Sequence, residues 1–151
     1  MTLRAATPDD IPALATLEAA SFSTDQLAVR HFRRFLRCGN CTMLVAEESG
    51  ALAGYVLVLY RSNSRAARIY SIAVSGSFRG RGIGERLLEQ AEQAAHRRGS
   101  NVMRLEVRPD NRAAIGMYEK NGYRRFGMFP GFYEDGTDAL RLEKALGEKT
   151  A

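Results

Sequence analysis

The chain is poor in the residues that build metal centres and disulfide frameworks. Its 151 residues include two cysteines, Cys38 and Cys41, and two histidines, His31 and His96. The cysteine spacing suits a redox pair or half of a zinc site, but a zinc site needs four ligands, and a thioredoxin-type pair lies between a strand and a following helix. Here the pair follows a helical pattern. We therefore expect a plain loop at the cysteines and no metal.

Long hydrophobic runs are also absent. No apolar stretch approaches the roughly 18 residues of a membrane-spanning helix. The N-terminus lacks the apolar core of a secretory signal and soon turns acidic. We therefore expect no membrane partner, a mature chain that begins at Met1 and a cytoplasmic location. The apolar fraction of 45% and the charged fraction of 26% are typical of globular proteins, and the length predicts one domain over residues 1–151.

Acidic residues are outnumbered by basic ones. The formal net charge is +5, which favours anionic partners in general. Four arginines, Arg30, Arg33, Arg34 and Arg37, recur at helical spacing within a predicted helix over 24–38, which puts them on one face. Such a run is commonly a solvated helix face, and charge alone does not select nucleic acid. We do not expect nucleic acid as the main partner, whereas an association with the ribosome stays open.

Hydrophobic periodicity predicts the element order β-α-α-β-β-β-α-β-α-β-β. Strands are predicted at 2–6, 42–47, 52–60, 67–74, 101–108, 123–128 and 139–144, and helices at 11–20, 24–38, 82–98 and 111–120. The strand over 67–74 carries no charge after Arg68, so we expect it to be central and buried on both faces. The strand, helix and strand from 67 to 108 predict a parallel crossover. The fold class is therefore α/β, with a mixed central sheet of about seven strands and about four helices.

A glycine-rich stretch joins the strand over 67–74 to the next helix. It consists of Arg79, Gly80, Arg81, Gly82, Ile83 and Gly84. Glycines allow positive φ and close approach of a ligand, a helix N-terminus offers free N–H groups, and the two arginines add positive charge. A dinucleotide fingerprint would need Gly-x-Gly-x-x-Gly, and a P-loop would need a lysine. The stretch favours a phosphate-bearing ligand, although a solvated loop would explain the glycines as well.

Several motifs resemble those of one enzyme family. Residues 79–84 resemble the Arg/Gln-x-x-Gly-x-Gly/Ala motif of the GNAT acyltransferase superfamily, which holds the pyrophosphate of acyl-CoA. Residues 105–108, Asn111 and residues 117–123 are similar to the Leu-Glu-Val-Arg, Asn and Leu-Tyr-Glu-x-x-Gly-Phe series of ribosomal-protein-alanine N-acetyltransferases. Residues 132–139 resemble Tyr-Tyr-x-Asp-Gly-Glu-Asp-Ala of protein N-terminal acetyltransferases. The element order is also that of GNAT proteins, so the resemblance covers nearly the whole chain and implies their fold.

The resemblance implies an N-acetyltransferase that moves the acetyl group of acetyl-CoA to a primary amine by direct attack in a ternary complex. An amine is protonated near neutral pH, so a base must accept its proton, and Glu106 is the candidate. From the residues alone, a surface ion pair between Glu106 and Arg104 remains an alternative. Tyr118 is the candidate acid for the leaving thiolate. Its ring could also pack with Ile115 against the sheet, and the two roles are compatible.

The resemblance also implies which residues hold acetyl-CoA. Backbone groups of Ile72, Ala73 and Val74 would pair with the pantetheine arm, and one N–H there would polarise the acyl carbonyl. The glycine-rich stretch, residues 79–84, would hold the pyrophosphate. Asn111 is carried over as a CoA contact, although it would also suit a helix cap.

The acceptor site is implied around Phe22 and the loop that contains Phe132 and Tyr133. A tyrosine in that loop can bind a peptide backbone, which favours a protein or peptide N-terminus as the acceptor. Phe132 and Thr137 depart from the family pattern, and the first departure removes a hydroxyl. Small amines such as polyamines, amino acids or amino sugars remain the alternative acceptors. A non-catalytic acyl-CoA-binding module and a basic ribosome- or RNA-binding module are the rival functions, and a monomer and a homodimer both stay open.

Overall fold

The computed structural model describes residues 1–147, which form seven strands and four α-helices. The strands are β1 (Thr2–Ala5), β2 (Cys41–Glu48), β3 (Ala51–Tyr60), β4 (Ala66–Val74), β5 (Val102–Val107), β6 (Arg124–Phe129) and β7 (Ala139–Ala145). The helices are α1 (Ile11–Ser21), α2 (Val29–Arg37), α3 (Ile83–Arg97) and α4 (Arg112–Lys120). Within this part of the chain, none of the helices combines the length and the apolar character needed to cross a membrane.

All seven strands join one sheet in the order β1-β2-β3-β4-β5-β7-β6. Strands β4 and β5 run parallel, and every other neighbouring pair is antiparallel. The parallel pair follows from the sequence, because α3 connects β4 to β5 as a crossover. The predicted mixed α/β sheet is therefore confirmed.

The helices cover both faces of the sheet with separate apolar clusters. On one face, Leu87 and Leu88 of α3 and Ile115 of α4 pack with residues of β3, β4 and β5. On the other, Leu14 of α1 and Phe32 of α2 pack against the β2 and β3 residues of that face. Each helix thus buries one apolar stripe, which is the larger part of its stabilisation.

Two helix ends agree with their sequence signals. The backbone N–H of Thr7 donates to Asp10 Oδ2 at 2.8 Å, just before α1, where Pro8 begins a short 3₁₀ turn. Helix α3 is followed by Gly99 at φ 95°, a left-handed conformation that a terminating glycine supplies without strain.

The second helix is shorter than its pattern predicts. It begins at Val29 rather than at Thr24, so the predicted start is wrong. Asp25 has φ 57°, a left-handed conformation that a helix cannot contain. The helix is instead capped further along, where the Ala28 N–H donates to Nδ1 of His31 at 2.9 Å. The segment between α1 and α2 is therefore a loop.

Strand β4 is central, as predicted, but it is not buried on both faces. Tyr70 is 43% exposed. In the pairing with β3, Val58 faces Ile69 and Leu57 faces Ser71, so Tyr70 is an extra residue in a β-bulge. A bulge bends its strand and turns side chains away from the regular alternation. The prediction failed because the absence of charge says nothing of a bulge.

Candidate active site

The sheet opens between β4 and β5. Their parallel pairing runs from Ala66 opposite Val102 to Ile69 opposite Leu105 and ends there. Strand β4 nevertheless continues beside β3 as far as Val74, which faces Gly54. The β5-facing edge of β4 beyond Ile69 therefore has no strand partner among the described residues. Free backbone groups at such an edge can pair with an extended ligand.

Ile72, Ala73 and Val74 lie along this opened edge, just beyond the bulge at Tyr70. They are the three residues expected to line the pantetheine arm. The bulge coincides with the point where β4 leaves β5, because an extra residue increases the local bend. No side-chain pattern in the sequence marks this divergence.

The glycine-rich stretch forms the turn into α3. Gly80 and Gly82 have φ 78° and 74°, and an added Cβ at either would meet no atom within 4 Å. The loop is thus left-handed and open, as expected. Ile83 begins the helix and is 2% exposed, so the helix start is anchored in the core.

The expectation of positive φ is wrong for Gly84. This residue lies inside α3, and its φ is not in the left-handed region. A Cβ there would come within 3.1 Å of Met117 Sδ on α4. Gly84 therefore serves close packing between the first turn of α3 and α4. Arg79 and Arg81 are both exposed beside the turn, with Arg81 Cζ 5.3 Å from the centre of the Phe78 ring.

Glu106 lies on β5 immediately after the last residue paired with β4. Its side chain is 6% exposed and accepts a hydrogen bond from Arg68 Nε at 2.7 Å. Arg141 Nε lies 3.6 Å from the other carboxylate oxygen and is buried without a hydrogen-bond partner among residues 1–147. Arg104 instead pairs with Glu143 at 3.0 Å. The alternative of a surface pair between Glu106 and Arg104 is therefore wrong.

Tyr118 projects from α4 into the core. It is 5% exposed and belongs to the same apolar cluster as Ile115, so the predicted packing is confirmed. Burial raises the pKa of Tyr118 above its usual range, and the nearby Tyr133 adds to this pKa shift. The Tyr118 hydroxyl forms no hydrogen bond among the described residues, and its raised pKa keeps it protonated near neutral pH.

Tyr133 connects Tyr118 with Glu106. Burial raises the pKa of Tyr133 to about 12, the guanidinium of Arg108 opposes the shift, and the negative charge of Glu106 adds to it. Tyr133 thus lies near enough to Glu106 and to Tyr118 for their charges to influence one another, so the three side chains belong to the same region of the molecule. Proton acceptance and proton donation could occur around a single bound molecule there.

Arg108 joins the two loops beside this region. Its Nη1 donates to Asp135 Oδ2 at 2.9 Å in the β6–β7 loop, and its Nη2 donates to Thr24 Oγ1 at 2.6 Å in the α1–α2 loop. Asp25 accepts a hydrogen bond from the backbone N–H of Glu134 at 3.2 Å, a second tie between the same loops. A planar guanidinium suits this bridging task because its donors point in fixed directions.

The predicted acceptor residues line these loops. Phe132 contacts Tyr133 edge-on at 4.9 Å between ring centres, and Arg68 Cζ lies 5.8 Å from the Phe132 ring. Phe22 ends α1, partly buried against the cluster under α1 and α2. The predicted loops thus come together, with Phe22 at the base of one and Tyr133 in the other. Asn111 caps α4, where its Oδ1 accepts from the Ala114 N–H at 3.2 Å.

Sequence reasoning missed Arg68, Arg108 and Arg141. Arg108 had a signal, since it is the last residue of the Leu-Glu-Val-Arg motif that contains Glu106 and directly follows β5. Arg68 and Arg141 reach Glu106 from β4 and β7, and only the strand order makes them neighbours.

Sequence reasoning also missed a buried carboxylate beneath the α1–α2 loop. Glu18 of α1 is 2% exposed and accepts hydrogen bonds from the Tyr55 hydroxyl, from Ser71 Oγ at 3.1 Å and from the Leu27 N–H at 3.0 Å. These bonds tie α1 to β3, to β4 beyond the bulge and to the segment that leads into α2. A buried carboxylate needs such partners, because an unsatisfied one is costly. Glu18 therefore anchors the α1–α2 loop to the sheet.

Three further places in residues 1–147 were candidates for a site: a metal-binding group, the two cysteines and a surface cavity. No three His, Cys, Asp or Glu side chains form a group that could hold a metal ion there. Cys38 directly follows α2, whereas Cys41 begins β2 rather than lying in a loop, and its Sγ donates to the carbonyl of Phe35 in α2 at 3.0 Å. A cavity of about 680 Å³ lies between α1 and the β4–α3 turn and borders Arg79, but neither Glu106 nor Tyr118 lines it.

Comparison with known proteins agrees with this geometry. Residues 11–123 match the acetyltransferase (GNAT) family. The N-alpha-acetyltransferase RimI of Mycobacterium tuberculosis is 34% identical over 152 residues, covering 98% of this chain and 94% of that protein. A longer Mycobacterium leprae protein, ML0378, is 34% identical over 143 residues, and the matched part spans 39% of its length.

Two solved structures share the fold of this chain. Ard1 from Thermoplasma volcanium superposes with a TM-score of 0.89 at 26% identity, covering 97% of this chain and 98% of that one. The ribosomal-protein-alanine N-acetyltransferase from Brucella melitensis superposes with a TM-score of 0.83 at 25% identity, covering 97% of this chain and 100% of that one.

Proposed function

The chain belongs to the GNAT acetyltransferase family and is an acetyl-CoA-dependent N-acetyltransferase, and we propose that its acceptor is the α-amine of a protein or peptide N-terminus. The observation that carries the proposal is that Arg68 contacts both Glu106 and Phe132, which brings the β6–β7 loop beside Glu106 where β4 and β5 separate. Arg108 ties this loop to the α1–α2 loop, and the two loops would form the walls of the acceptor site.

The turn into α3 fits the phosphate end of acetyl-CoA. Gly80 and Gly82 leave the turn uncrowded, and the first N–H groups of α3 are oriented toward it. Arg79 and Arg81 are exposed and supply donors for a multiply charged pyrophosphate. Acetyl-CoA bound here supplies the activated acyl group. The opened edge at Ile72–Val74 then accepts the pantetheine amides.

Glu106 and Tyr118 would divide the proton transfers. Each carboxylate oxygen of Glu106 faces one arginine and keeps further lone pairs, so the group can accept the amine proton directly or through water. Tyr118 stays protonated because burial raises its pKa, and its unbonded hydroxyl can give a proton to the departing sulfur. A raised pKa also weakens the acid, so donation needs the hydroxyl close to that sulfur.

The relatives support a protein acceptor. One relative is named an N-alpha-acetyltransferase, and one similar structure is that of a ribosomal-protein-alanine N-acetyltransferase. Both names state an α-amine or a protein as the acceptor. In this chain, the Tyr133 ring lies 4.1 Å from Arg108 Cζ, a contact that restrains the ring in the β6–β7 loop. The hydroxyl of a restrained tyrosine can bind the first peptide group of an acceptor, which a small amine lacks.

A panel of acceptors tests the proposal. Thiol release from acetyl-CoA would be measured with peptides that carry a free N-terminus, with the same peptides blocked at the N-terminus but containing lysine, and with polyamines, amino acids and amino sugars. We expect release with free N-termini, and mass spectrometry should place the acetyl group on the α-amine. Faster transfer to a small amine than to every peptide would contradict the protein acceptor while leaving the acetyltransferase class intact.

A further inference from the structure

Arginines without acidic partners collect at one end of the molecule. On α2, Arg30, Arg33, Arg34 and Arg37 are all exposed. A second group at the same end consists of Arg61 and Arg65 in the β3–β4 loop and Arg97 and Arg98 at the end of α3, all exposed. We call these eight arginines the basic end.

Backbone contacts hold the segments of the basic end together. The Tyr60 N–H donates to the Asn40 carbonyl at 2.9 Å, and Arg98 Nη2 donates to the Gly39 carbonyl at 2.9 Å, so the loop after α2 meets β3 and α3. The Asn101 N–H donates to the Arg65 carbonyl at 2.8 Å, which brings in the β3–β4 loop. These loops precede β4 and β5, at the edge of the sheet opposite the turn into α3. The basic end is thus one surface, remote from the glycine turn.

Acidic residues are missing from the same segments. None occurs from Gln26 to Ala46, from Ser49 to Gly84 or from Gln93 to Leu105. None of the eight arginines forms a salt bridge with any residue from 1 to 147. By contrast, the arginines around Glu106 are paired, as in Arg68 with Glu106 and Arg104 with Glu143. Five arginines elsewhere, namely Arg79, Arg81, Arg86, Arg112 and Arg124, also form no salt bridge within residues 1–147. The basic end is therefore distinguished by the number of unpaired arginines it gathers and by the lack of acidic residues in its segments.

We propose that the basic end binds the phosphate backbone of RNA. The guanidinium fork matches phosphate oxygens in two-point hydrogen bonds, and a row of four on one helix extends about 10 Å, from seven residues at 1.5 Å each. The choice of RNA over DNA rests on the proposed function, because a protein N-terminus is first available at the ribosome, whose surface is largely RNA. Binding there would hold the enzyme where its acceptors emerge.

The composition of the basic end argues against an acidic protein and against an anionic membrane as its partner. Protein interfaces are built around buried apolar anchors, and a membrane-surface helix needs an apolar face next to its basic one. Among the large apolar residues of α2, Val29 is exposed, Phe35 and Leu36 are partly buried, and Phe32 is buried. A surface whose fully exposed side chains are mainly arginines gains affinity mainly from counterion release, as phosphate backbones permit.

RNA binding would be measured by fluorescence anisotropy with a labelled single-stranded RNA and the full chain at 50 and 200 mM salt. Four phosphate contacts predict a loss of affinity of about 50-fold between these two concentrations. The variant Arg33→Gln with Arg34→Gln should bind more weakly at 50 mM and show a smaller salt dependence. The matched control is Arg112→Gln with Arg124→Gln, which removes two exposed arginines that lie outside the basic end and also form no salt bridge within residues 1–147.

Several outcomes would overturn the proposal. No binding at 50 mM salt would exclude it, and equal losses in the test and control variants would move the contact away from the basic end. Competition by a polyglutamate peptide of equal charge as strong as that by RNA would favour an acidic protein. Stronger binding to anionic phospholipid vesicles would favour a membrane surface.

Peptide acetylation by the Arg33→Gln, Arg34→Gln variant separates this proposal from the function of the active site. We expect free peptides to be acetylated at the wild-type rate while RNA affinity falls. Because RNA binding is measured without acetyl-CoA or acceptor, a failed acetylation assay would leave the RNA result interpretable, and the reverse also holds.

Discussion

The Cζ atom of Arg108 lies 4.1 Å from the centre of the Tyr133 ring, while the same guanidinium bonds to the α1–α2 loop and to the β6–β7 loop. A single side chain thus contacts a ring of the proposed acceptor site and ties the two loops that would border it. Arg108 directly follows β5, two residues after Glu106, so the candidate base and the tie between the loops belong to one short segment.

Replacing Arg108 by lysine should weaken acceptor binding. Lysine keeps the charge but cannot reach both loops with a planar fork, so at least one charged hydrogen bond, worth about 1.5–3 kcal/mol, is lost. We expect the acceptor KM to rise about tenfold or more, since about 1.4 kcal/mol corresponds to a factor of ten. The KM for acetyl-CoA should change less than twofold.

Arg104→Lys is the matched control for Arg108→Lys. Arg104 lies on β5, two residues before Glu106, and pairs with Glu143 instead of with the loops. It should leave the acceptor KM near the wild-type value. Similar acceptor KM values in both variants would show that Arg108 has no special part in the acceptor site.

Removing the Tyr118 hydroxyl should slow turnover without loosening the fold. The hydroxyl makes no hydrogen bond within residues 1–147, so phenylalanine fills the same space and leaves no partner unsatisfied. General acid catalysis typically contributes at least about a hundredfold, so kcat should fall by about that factor. Affinity for CoA and the melting temperature should persist. Normal turnover would remove Tyr118 from the mechanism.

Tyr123→Phe provides the opposite pattern. Tyr123 is also buried, its ring lies 5.7 Å from that of Tyr118, and its hydroxyl donates to Glu92 at 2.9 Å. Losing this bond should cost about 1 kcal/mol of stability and leave turnover near wild type. A large drop in kcat for Tyr123→Phe would mean that packing around α4, not the hydroxyl of Tyr118, controls the rate.

The raised pKa of Tyr118 makes a prediction for alkaline pH. An unperturbed tyrosine is half ionised near pH 10. Burial raises the pKa of Tyr118, so its hydroxyl keeps the proton at higher pH and the acid form persists. The kcat of the wild type should therefore stay level through pH 10. A fall centred near pH 10 that is absent in Tyr118→Phe would show that the ring lies in a wetter environment.

The sequence predicts the secondary-structure elements and the candidate residues of this site, but not the contacts between those residues. Alternation and helical periodicity find all seven strands and four helices, because each element buries a regular stripe. Glu106 and Tyr118 were found through motifs with fixed spacing. The ties from Arg68 and Arg141 to Glu106 depend on the order β4-β5-β7, which no local pattern encodes. The bulge at Tyr70 and the left-handed Asp25 were missed because neither residue type requires such a conformation.

The glycines of the turn into α3 also show that one sequence motif does not reveal what each of its residues does. The three glycines of the turn carry one sequence signal but have two physical roles: Gly80 and Gly82 supply positive φ, whereas Gly84 makes room for Met117. The second role depends on how α3 meets α4 and is visible only after folding.

Glu106→Gln should lower activity mainly at low pH. An α-amine has a pKa of about 7.7–8.0, so below that range a base must remove its proton, whereas above it much of the amine is already free. We expect kcat/KM to fall about a hundredfold at pH 6.5 and to recover partly by pH 9. Glu143→Gln, which also unpairs an arginine on this sheet face, is the control. An unchanged pH profile in Glu106→Gln would point to a different base.

The last prediction concerns the turn into α3. Gly82 has φ 74° and open space around it, so Gly82→Ala adds no clash but strains the backbone by about 1–2 kcal/mol. Gly50, in the turn between β2 and β3, has φ 79° and the same open space, so Gly50→Ala imposes a similar strain far from the site. Both variants should lose about 2–4 °C of melting temperature per kcal/mol.

Only Gly82→Ala should raise the KM for acetyl-CoA, because relieving its strain turns the first N–H groups of α3 away from the pyrophosphate. Isothermal titration with CoA would measure this difference directly. Equal CoA affinity in the Gly82→Ala and Gly50→Ala variants would mean that the exposed arginines, rather than the backbone of the turn, hold the phosphates.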